Sequence, residues 1–352
     1  MQRHRRDGIS QTRRSFLGRG AAAIAAATAP NRLFAAEGQG GKSPASPRPR
    51  IGCVSWCFHP FTGGTDPTQA IEQVGRLGFE GIELIVLAPE DLKDFWTPAR
   101  VGSIKKLLEQ FKLQRPQFVL FQPVVEGLTS TQAEERKRSL DNFEAGCRLG
   151  RELGAPLVNI VAPWPRELRR PGGGYLPRYY DVPTGAPNTK FHIEMAAGFD
   201  WDALWQTFVE TVKACLERSK AHGMKLSIEH HTHTMIHDAT AFLRLWDAVR
   251  DPALGYNLDV GWTLSQREYP PVAIHKVKRH LMNLHLRDID GMMRQFVHFG
   301  QGVMDFQAIA DALAAIGFGG FLSLEQDKFP GDMQETCRRC IAEMRACLAR
   351  GR

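Results

Sequence analysis

From residue 51 to the end of the 352-residue chain, eight short apolar runs rich in β-formers alternate with eight longer amphipathic runs. No other feature of the sequence restricts the fold as strongly. The short runs predict strands over 51–55, 81–85, 117–121, 157–161, 225–229, 254–258, 281–286 and 320–325. The longer ones predict helices over 67–77, 98–111, 131–153, 201–222, 239–249, 271–279, 305–316 and 333–348. Parallel strands need a helix-length crossover between them, so this alternation predicts βα units. Runs that are apolar on both faces suit strands covered by helices. Eight such units predict an α/β fold closing as a (βα)₈ barrel over 51–352. Gly78, Gly154, Gly223 and Gly317 each follow a helical run, where a left-handed cap ends a helix. The stretch 163–198, rich in Pro, Gly, Tyr and Arg, exceeds a minimal connection. It follows the fourth strand, so it is expected on the C-terminal face as a lid, a substrate loop, a structural excursion or a subunit contact.

The charge of the chain divides unevenly. The whole sequence carries +7, but residues 1–50 hold ten Lys and Arg against two acids. The rest has 35 basic and 36 acidic residues, a net of −1, so a phosphate-backbone footprint is not supported. The hydrophobic share of 43% and charged share of 24% argue against disorder and against a membrane bundle. Residues 1–36 read as an export leader. Thr12-Arg13-Arg14-Ser15-Phe16-Leu17 precedes a small-residue apolar run, 20–29, too short and Ala-rich for a stable span. The paired arginines resemble a twin-arginine signal, with cleavage near Ala35 or Ala36 and the twin-arginine machinery as a partner. Residues 37–50 read as a flexible linker. The expected location is therefore the periplasm or beyond. Seven cysteines do not form a disulfide framework, and Cys337-x-x-Cys340 lacks a second pair for a structural zinc. Buried or half-buried thiols are expected.

In a parallel barrel, catalytic groups sit at the C-terminal strand ends. Four successive late strands end on potential metal ligands: Lys225-Leu-Ser-Ile-Glu229, Gly255-Tyr-Asn-Leu-Asp259, Met282-Asn-Leu-His285 and Phe321-Leu-Ser-Leu-Glu325. Three carboxylates and an imidazole make a hard-leaning site for one divalent ion: Mn²⁺ first, then Co²⁺, Mg²⁺ or Zn²⁺. The competing reading is a set of strand-end ion pairs with Arg and Lys.

At these residues the chain resembles the sugar-phosphate isomerase/epimerase superfamily, the xylose-isomerase-like TIM barrels. The resemblance rests on Asn257-Leu-Asp259-Val-Gly-Trp262, Leu284-His285-Leu-Arg287-Asp288-Ile-Asp290, Phe299-Gly-Gln-Gly-Val-Met-Asp-Phe306 and Phe79-Glu-Gly-Ile-Glu83. It spans 51–350. It implies that the four strand-end residues are metal ligands and that Glu229 and Glu325 are also the catalytic acid/base pair. In such chemistry the metal polarises a carbonyl, one carboxylate removes the neighbouring proton, and a second returns it or protonates a leaving hydroxyl. The family includes ketose 3-epimerases, hydroxypyruvate isomerase, inosose dehydratase and apurinic endonuclease. Where the epimerases and the endonuclease usually carry a His, three residues after the strand-six Asp, this chain has Trp262. That departure points away from a trinuclear zinc site and puts simple ketose epimerisation in doubt.

Around the ligands, the substrate contacts expected are His231 and His233 of the His230–His237 cluster, Arg287, His298, Trp262 and Trp56. Each has a plainer alternative. The histidines are equally loop residues or ligand supports. Arg287 equally pairs with Asp288 or Asp290, and Trp56, with Phe58, is equally core. The function expected is metal-dependent isomerisation or epimerisation of a non-phosphorylated carbohydrate. The alternative is a lyase or hydratase acting on keto-sugars or 3-keto-glycosides by the same enolisation. A non-catalytic carbohydrate-binding barrel is the third class. Partners are a small-molecule carbohydrate and, among the options, a second copy of the chain; nucleic acid and stable membrane insertion are not expected.

Overall fold

The computed structural model describes residues 48–165, 168–169, 194–232, 234–291, 296–326 and 329–351. The leader, most of the linker, most of the 163–198 stretch and His233 lie outside these residues.

Eight strands close the barrel: β1 Arg50–Val54, β2 Gly81–Val86, β3 Phe118–Leu120, β4 Leu157–Val161, β5 Lys225–Glu229, β6 Leu254–Asp259, β7 Leu281–Leu286 and β8 Phe321–Leu324. All neighbouring pairs are parallel, and β1 closes onto β8 with Arg50 opposite Phe321. The connecting helices are α1 Thr68–Leu77, α2 Pro98–Gln110, α3 Ala133–Glu152, α4 Trp201–Ala221, α5 Ala239–Val249, α6 Pro270–Val277, α7 Phe306–Ala315 and α8 Met333–Arg350. The eight-fold alternation predicted from sequence is therefore the observed architecture. Boundaries move by at most two residues, and β1 takes in Arg50, the last residue of the expected linker.

Local chemistry accounts for the helix ends. Thr97, Asp200, Asp238, Asp305 and Asp332 each accept a backbone N–H of the first turn as N-caps. Gly78, Gly154, Gly223 and Gly317 all adopt positive φ, as their positions predicted. Sequence reading missed the short helices Asp91–Asp94, Gln122–Val125 and Val260–Ser265, which are single turns without their own amphipathic period. Leu168–Arg169 and Glu194–Met195 pair antiparallel at the base of the long β4 connection. The cysteines are all free, and Cys57 alone is not fully buried. Among the described residues no helix is long and apolar enough to cross a membrane.

The barrel interior is polar, and this sets up the site. Residues two apart on a strand share a face. Ser227 therefore lies below Glu229, Asn257 below Asp259, Asn283 below His285, and Ser323 below Glu325. The lower residues form a buried layer beneath an upper layer of potential ligands. Between β6 and β7 the register shifts after Tyr256, which pairs with Leu281 while Asn257 pairs with Asn283. That irregularity brings Asp259 level with His285.

Candidate metal centre and active site

Glu229, Asp259, His285 and Glu325 converge at the C-terminal mouth, with ligand atoms all within 4.8 Å of one another. Each comes from a strand end, as expected; Glu325 is the residue just beyond β8. All four are buried, and His285 and Asp259 are completely inaccessible. His285 Nδ1 faces Glu325 Oε2 at 2.5 Å and Glu229 Oε2 at 3.4 Å. Among the described residues Glu325 Oε2 meets no hydrogen-bond donor other than that ring nitrogen. Its other oxygen is engaged by Trp56 Nε1 at 3.0 Å and Arg287 at 2.5 Å. A buried carboxylate oxygen met only by an imidazole nitrogen, with two more carboxylates beside it, is a place where a cation would relieve the crowded negative charge. The donor set of three carboxylates and one imidazole fits a divalent ion.

Asp259 does two jobs. Its Oδ1 caps the helix Val260–Ser265 by accepting Trp262 N–H at 2.8 Å, which orients Oδ2 inward toward Arg287 Nε at 2.5 Å. The Asp-Val-Gly-Trp motif is legible from this geometry. A Cβ on Gly261 would lie 2.9 Å from Arg287 Cβ, so glycine is what lets the arginine reach across.

The protein's own charges separate the two glutamates. Burial pushes the Glu229 carboxyl up to about 7, with the attraction of His285 opposing and the charge of Glu325 adding to the rise. Burial also acts to raise Glu325, but Arg287 and then His285 outweigh it and hold the group at about 2. Asp259 is raised by burial, against the pull of Arg287. Burial disfavours a charged His285, yet Glu83, Glu229 and Glu325 raise it well above the ordinary imidazole range. Two carboxyls pushed apart are the arrangement an acid/base pair requires.

The expected substrate contacts fall into three groups. Trp56, Arg287, Trp262 and His231 line the cluster or its immediate surroundings. The indole of Trp56 is core-buried and also bonded to Glu325, so both of its readings hold in part. The Arg287 guanidinium lies 5.1 Å from the centre of the Trp262 ring, and His231 packs on that ring at 3.7 Å between centroids. The ion-pair alternative for Arg287 needs a correction of partner: among the described residues its acids are Asp259 and Glu325, not Asp288 or Asp290. His298 forms the second group. It meets Thr336 Oγ1 at 3.2 Å and the Phe329 ring at 4.8 Å, neither of them part of the cluster. His233 lies outside the described residues. His230, with no expected contact role, is wholly buried against Tyr256 and Thr263, and burial lowers its pKa to about 3.

Sequence reading missed the layer that supports the ligands. Glu83 lies against His285, and Asn257 Nδ2 donates to Glu229 Oε2 at 2.8 Å. Ser227 Oγ donates to Gln117 Oε1 at 2.8 Å, and Asn159 Nδ2 to Ser227 Oγ at 2.9 Å. The available signal was a polar residue two positions before each strand-end ligand, which a both-faces-apolar strand does not carry.

Also missed was the role of Asp288. Its carboxylate accepts the N–H groups of Ile289, Gly300, Gly302 and Met304, and so closes the loop that follows β7. A Cβ on Gly302 would fall 2.1 Å from Asp288 Oδ1, which explains the Gly-x-Gly. Gln326 ties the same loop to β8 by donating to the carbonyls of Asp288 and Val297. Asp288→Ala strands these donors and is expected to cost roughly 2–4 kcal/mol. Urea unfolding measures this, and an unchanged midpoint would show that the clasp contributes nothing.

The comparisons with known proteins agree with this fold. A family model described as xylose isomerase-like TIM barrel matches residues 71–343. No curated protein matches the chain by sequence. Among solved structures, an L-ribulose 3-epimerase superposes with a TM-score of 0.65 at 18% identity, covering 86% of this chain and 95% of that one. A D-psicose 3-epimerase from Clostridium cellulolyticum H10, solved with D-tagatose, gives 0.65 at 16% identity, covering 85% and 99%. A 3-keto-D-glucoside 4-epimerase from E. coli gives 0.64 at 15% identity, covering 85% and 100%. At these identities the likeness is one of fold.

Proposed function

Because the chain belongs to the xylose isomerase-like TIM barrel family, we propose that its barrel mouth is a metal-dependent active site that isomerises or epimerises a non-phosphorylated sugar. The observation that carries this reading is the approach of two carboxylates from different strands, Glu229 and Glu325, to the same imidazole nitrogen of His285. Glu229, Asp259, His285 and Glu325 would hold the ion, with Mn²⁺ the first choice for this donor set. When bound, a divalent ion supplies Lewis-acid polarisation of a carbonyl.

The chain's own residues do the rest. Arg287 and His285 keep Glu325 ionised, which suits it to remove the proton beside the carbonyl. Burial gives Glu229 the higher proton affinity of the two carboxylates, which suits it to take up and return a proton in the course of the reaction. Trp56 fixes the Glu325 oxygen that faces away from His285, so the carboxylate cannot rotate freely. Trp262 and His231 form an aromatic wall beside Arg287 that suits the C–H face of a sugar. The epimerases among the similar structures support a carbohydrate substrate.

A second reading has its own support. A proton taken up by Glu229 can equally go to a departing hydroxyl or alkoxide, which would make the same site a lyase or hydratase on keto-sugars or 3-keto-glycosides. Incubation of Mn²⁺-loaded protein in D₂O separates the two. Deuterium at the epimerised carbon of a ketose is the expected result. Aglycone or water release from a 3-keto-glycoside would favour the lyase. Exchange into neither substrate would sink the shared enolisation chemistry.

The twin-arginine reading of residues 1–36 adds export to this proposal and supports a substrate without phosphate, since phosphorylated sugars are mostly cytoplasmic. Cell fractionation of the native chain and of an Arg13→Lys, Arg14→Lys variant tests it. Equal retention of both in the cytoplasm would end the export proposal.

A further inference from the structure

We propose that Glu83, on β2, is a positioning residue of the metal centre: it takes the Nε2–H of His285 and so reserves Nδ1 as the ligand nitrogen. The inference rests on the reading that the cluster holds a divalent ion.

Glu83 lies 202 residues from His285 in sequence, yet both side chains are fully buried and meet inside the barrel. Glu83 Oε2 is 3.0 Å from His285 Nε2, whereas Glu229 and Glu325 face Nδ1. Carboxylates face both ring nitrogens, but the two on the Nδ1 side would be ligands of the ion, so with the ion bound Glu83 is the carboxylate left to accept a ring proton, and that proton sits on Nε2. The lone pair then falls to Nδ1, the nitrogen that faces the other ligands.

Two neighbouring donors could have dictated the opposite tautomer, and the network decides against them. Gln117 Nε2 is 3.3 Å from His285 Nε2, but it donates to Glu83 Oε2 at the shorter distance of 2.8 Å. The orientation of that amide is set from behind, because its Oε1 accepts Ser227 Oγ–H. Asn257 Nδ2 is 3.2–3.3 Å from both ring nitrogens and donates instead to Glu229 Oε2 at 2.8 Å. An unprotonated Nε2 would place a lone pair against the Glu83 carboxylate. A protonated Nε2 satisfies Glu83 and leaves both amides with the partners they already have.

The orientation of Glu83 is itself over-determined. Asn283 Nδ2 donates to Glu83 Oε1 at 2.8 Å and to Asn257 Oδ1 at 3.0 Å. Glu83 therefore has an amide on each oxygen and the imidazole on one of them. An acid that merely filled the barrel would be replaceable by an apolar residue at little cost. Three donors aimed at one buried acid, with the third a metal-ligand ring, are the arrangement by which a carboxylate orients a ligating histidine and raises its basicity.

The test uses the full chain, stripped of metal by chelation, with Mn²⁺ alone as the probe and free Mn²⁺ read by its paramagnetic resonance. Glu83→Gln is expected to bind Mn²⁺ about 10–100-fold more weakly than the parent. A purely structural role would lower the unfolding midpoint and leave the affinity unchanged, so a folded Glu83→Gln protein with parental affinity would overturn the proposal. A second measurement needs no variant. In ¹⁵N-histidine-labelled parent protein loaded with Zn²⁺, His285 is expected to show a protonated Nε2 and a metal-bound Nδ1, identified by loss of its signals in His285→Ala. The reverse assignment would overturn the proposal even if Glu83→Gln failed to fold. If the parent binds neither ion, the metal reading fails and takes this inference with it. Parental binding that ignores Glu83 defeats this inference alone.

Discussion

Replacing Glu325 by Gln, or Glu229 by Gln, is expected to lower turnover by about 10³-fold or more while the barrel stays folded. Each substitution keeps the shape and removes both a ligand oxygen of negative charge and a proton-transfer group. The two should act as a unit, so the double variant should be little worse than either single one. Glu325→Gln carries an added penalty. Arg287 and Trp56 both converge on Glu325 Oε1, and Arg287 would lose one of the two acids it meets among the described residues. Loss of a buried ion-pair partner typically destabilises, so its unfolding midpoint should fall further than that of Glu229→Gln. Steady-state rates with circular dichroism as the control for folding provide the check. Full activity in both variants would remove these carboxylates from the chemistry.

Metal affinity should rise steeply with pH across neutrality. Ligands must shed their protons before they bind a cation. Here Glu229 is raised by burial to about 7, and His285 is raised well above its ordinary range by Glu83, Glu229 and Glu325 against the opposing effect of burial. Below neutral pH both hold protons that the ion must displace. Displacing one proton changes the affinity about tenfold per pH unit, and displacing two changes it about 100-fold. The sign for folding runs the other way in chelated protein. A group whose folded pKa is raised contributes stability that is present below its unfolded pKa and is lost as pH rises through the folded value. Chelated protein should therefore lose the contribution of Glu229 as pH rises from about 4.5 through about 7, while added Mn²⁺ stabilises more strongly over the upper part of that range. Calorimetric titration in two buffers of different ionisation enthalpy counts the protons released. A proton count of zero, with affinity flat across neutrality, would contradict this arrangement of the site.

The ligands were legible before the structure because the signal is local. A strand turns over its face every second residue, and a parallel barrel brings every strand end to one rim. Four strand-end polar residues in successive βα units therefore had to share that rim. The helix ends were legible for the same reason: a glycine or an Asp at a boundary acts on its own turn. The loop after β7 was half legible. Its Gly300-x-Gly302 stood out, but its purpose needed Asp288, whose carboxylate gathers the surrounding N–H groups.

Metal choice and substrate contacts rest on side chains that meet across the barrel, and there the linear pattern carries less. Arg287 was expected beside the acids next to it in sequence and found its partners on β6 and after β8. Glu83 stood in a quoted motif without a role, because nothing within its own strand points to His285. The shift of register after Tyr256 could not be read from either strand alone, yet it brings Asp259 level with His285. Sequence by itself determined the eight βα units and the four-residue candidate ligand set, since both follow from periods of two and 3.6 residues acting locally. The tertiary structure alone decided which nitrogen, which oxygens and which counter-charge converge at the mouth of the barrel. Those choices depend on distances across a closed barrel, where residues 200 positions apart become neighbours.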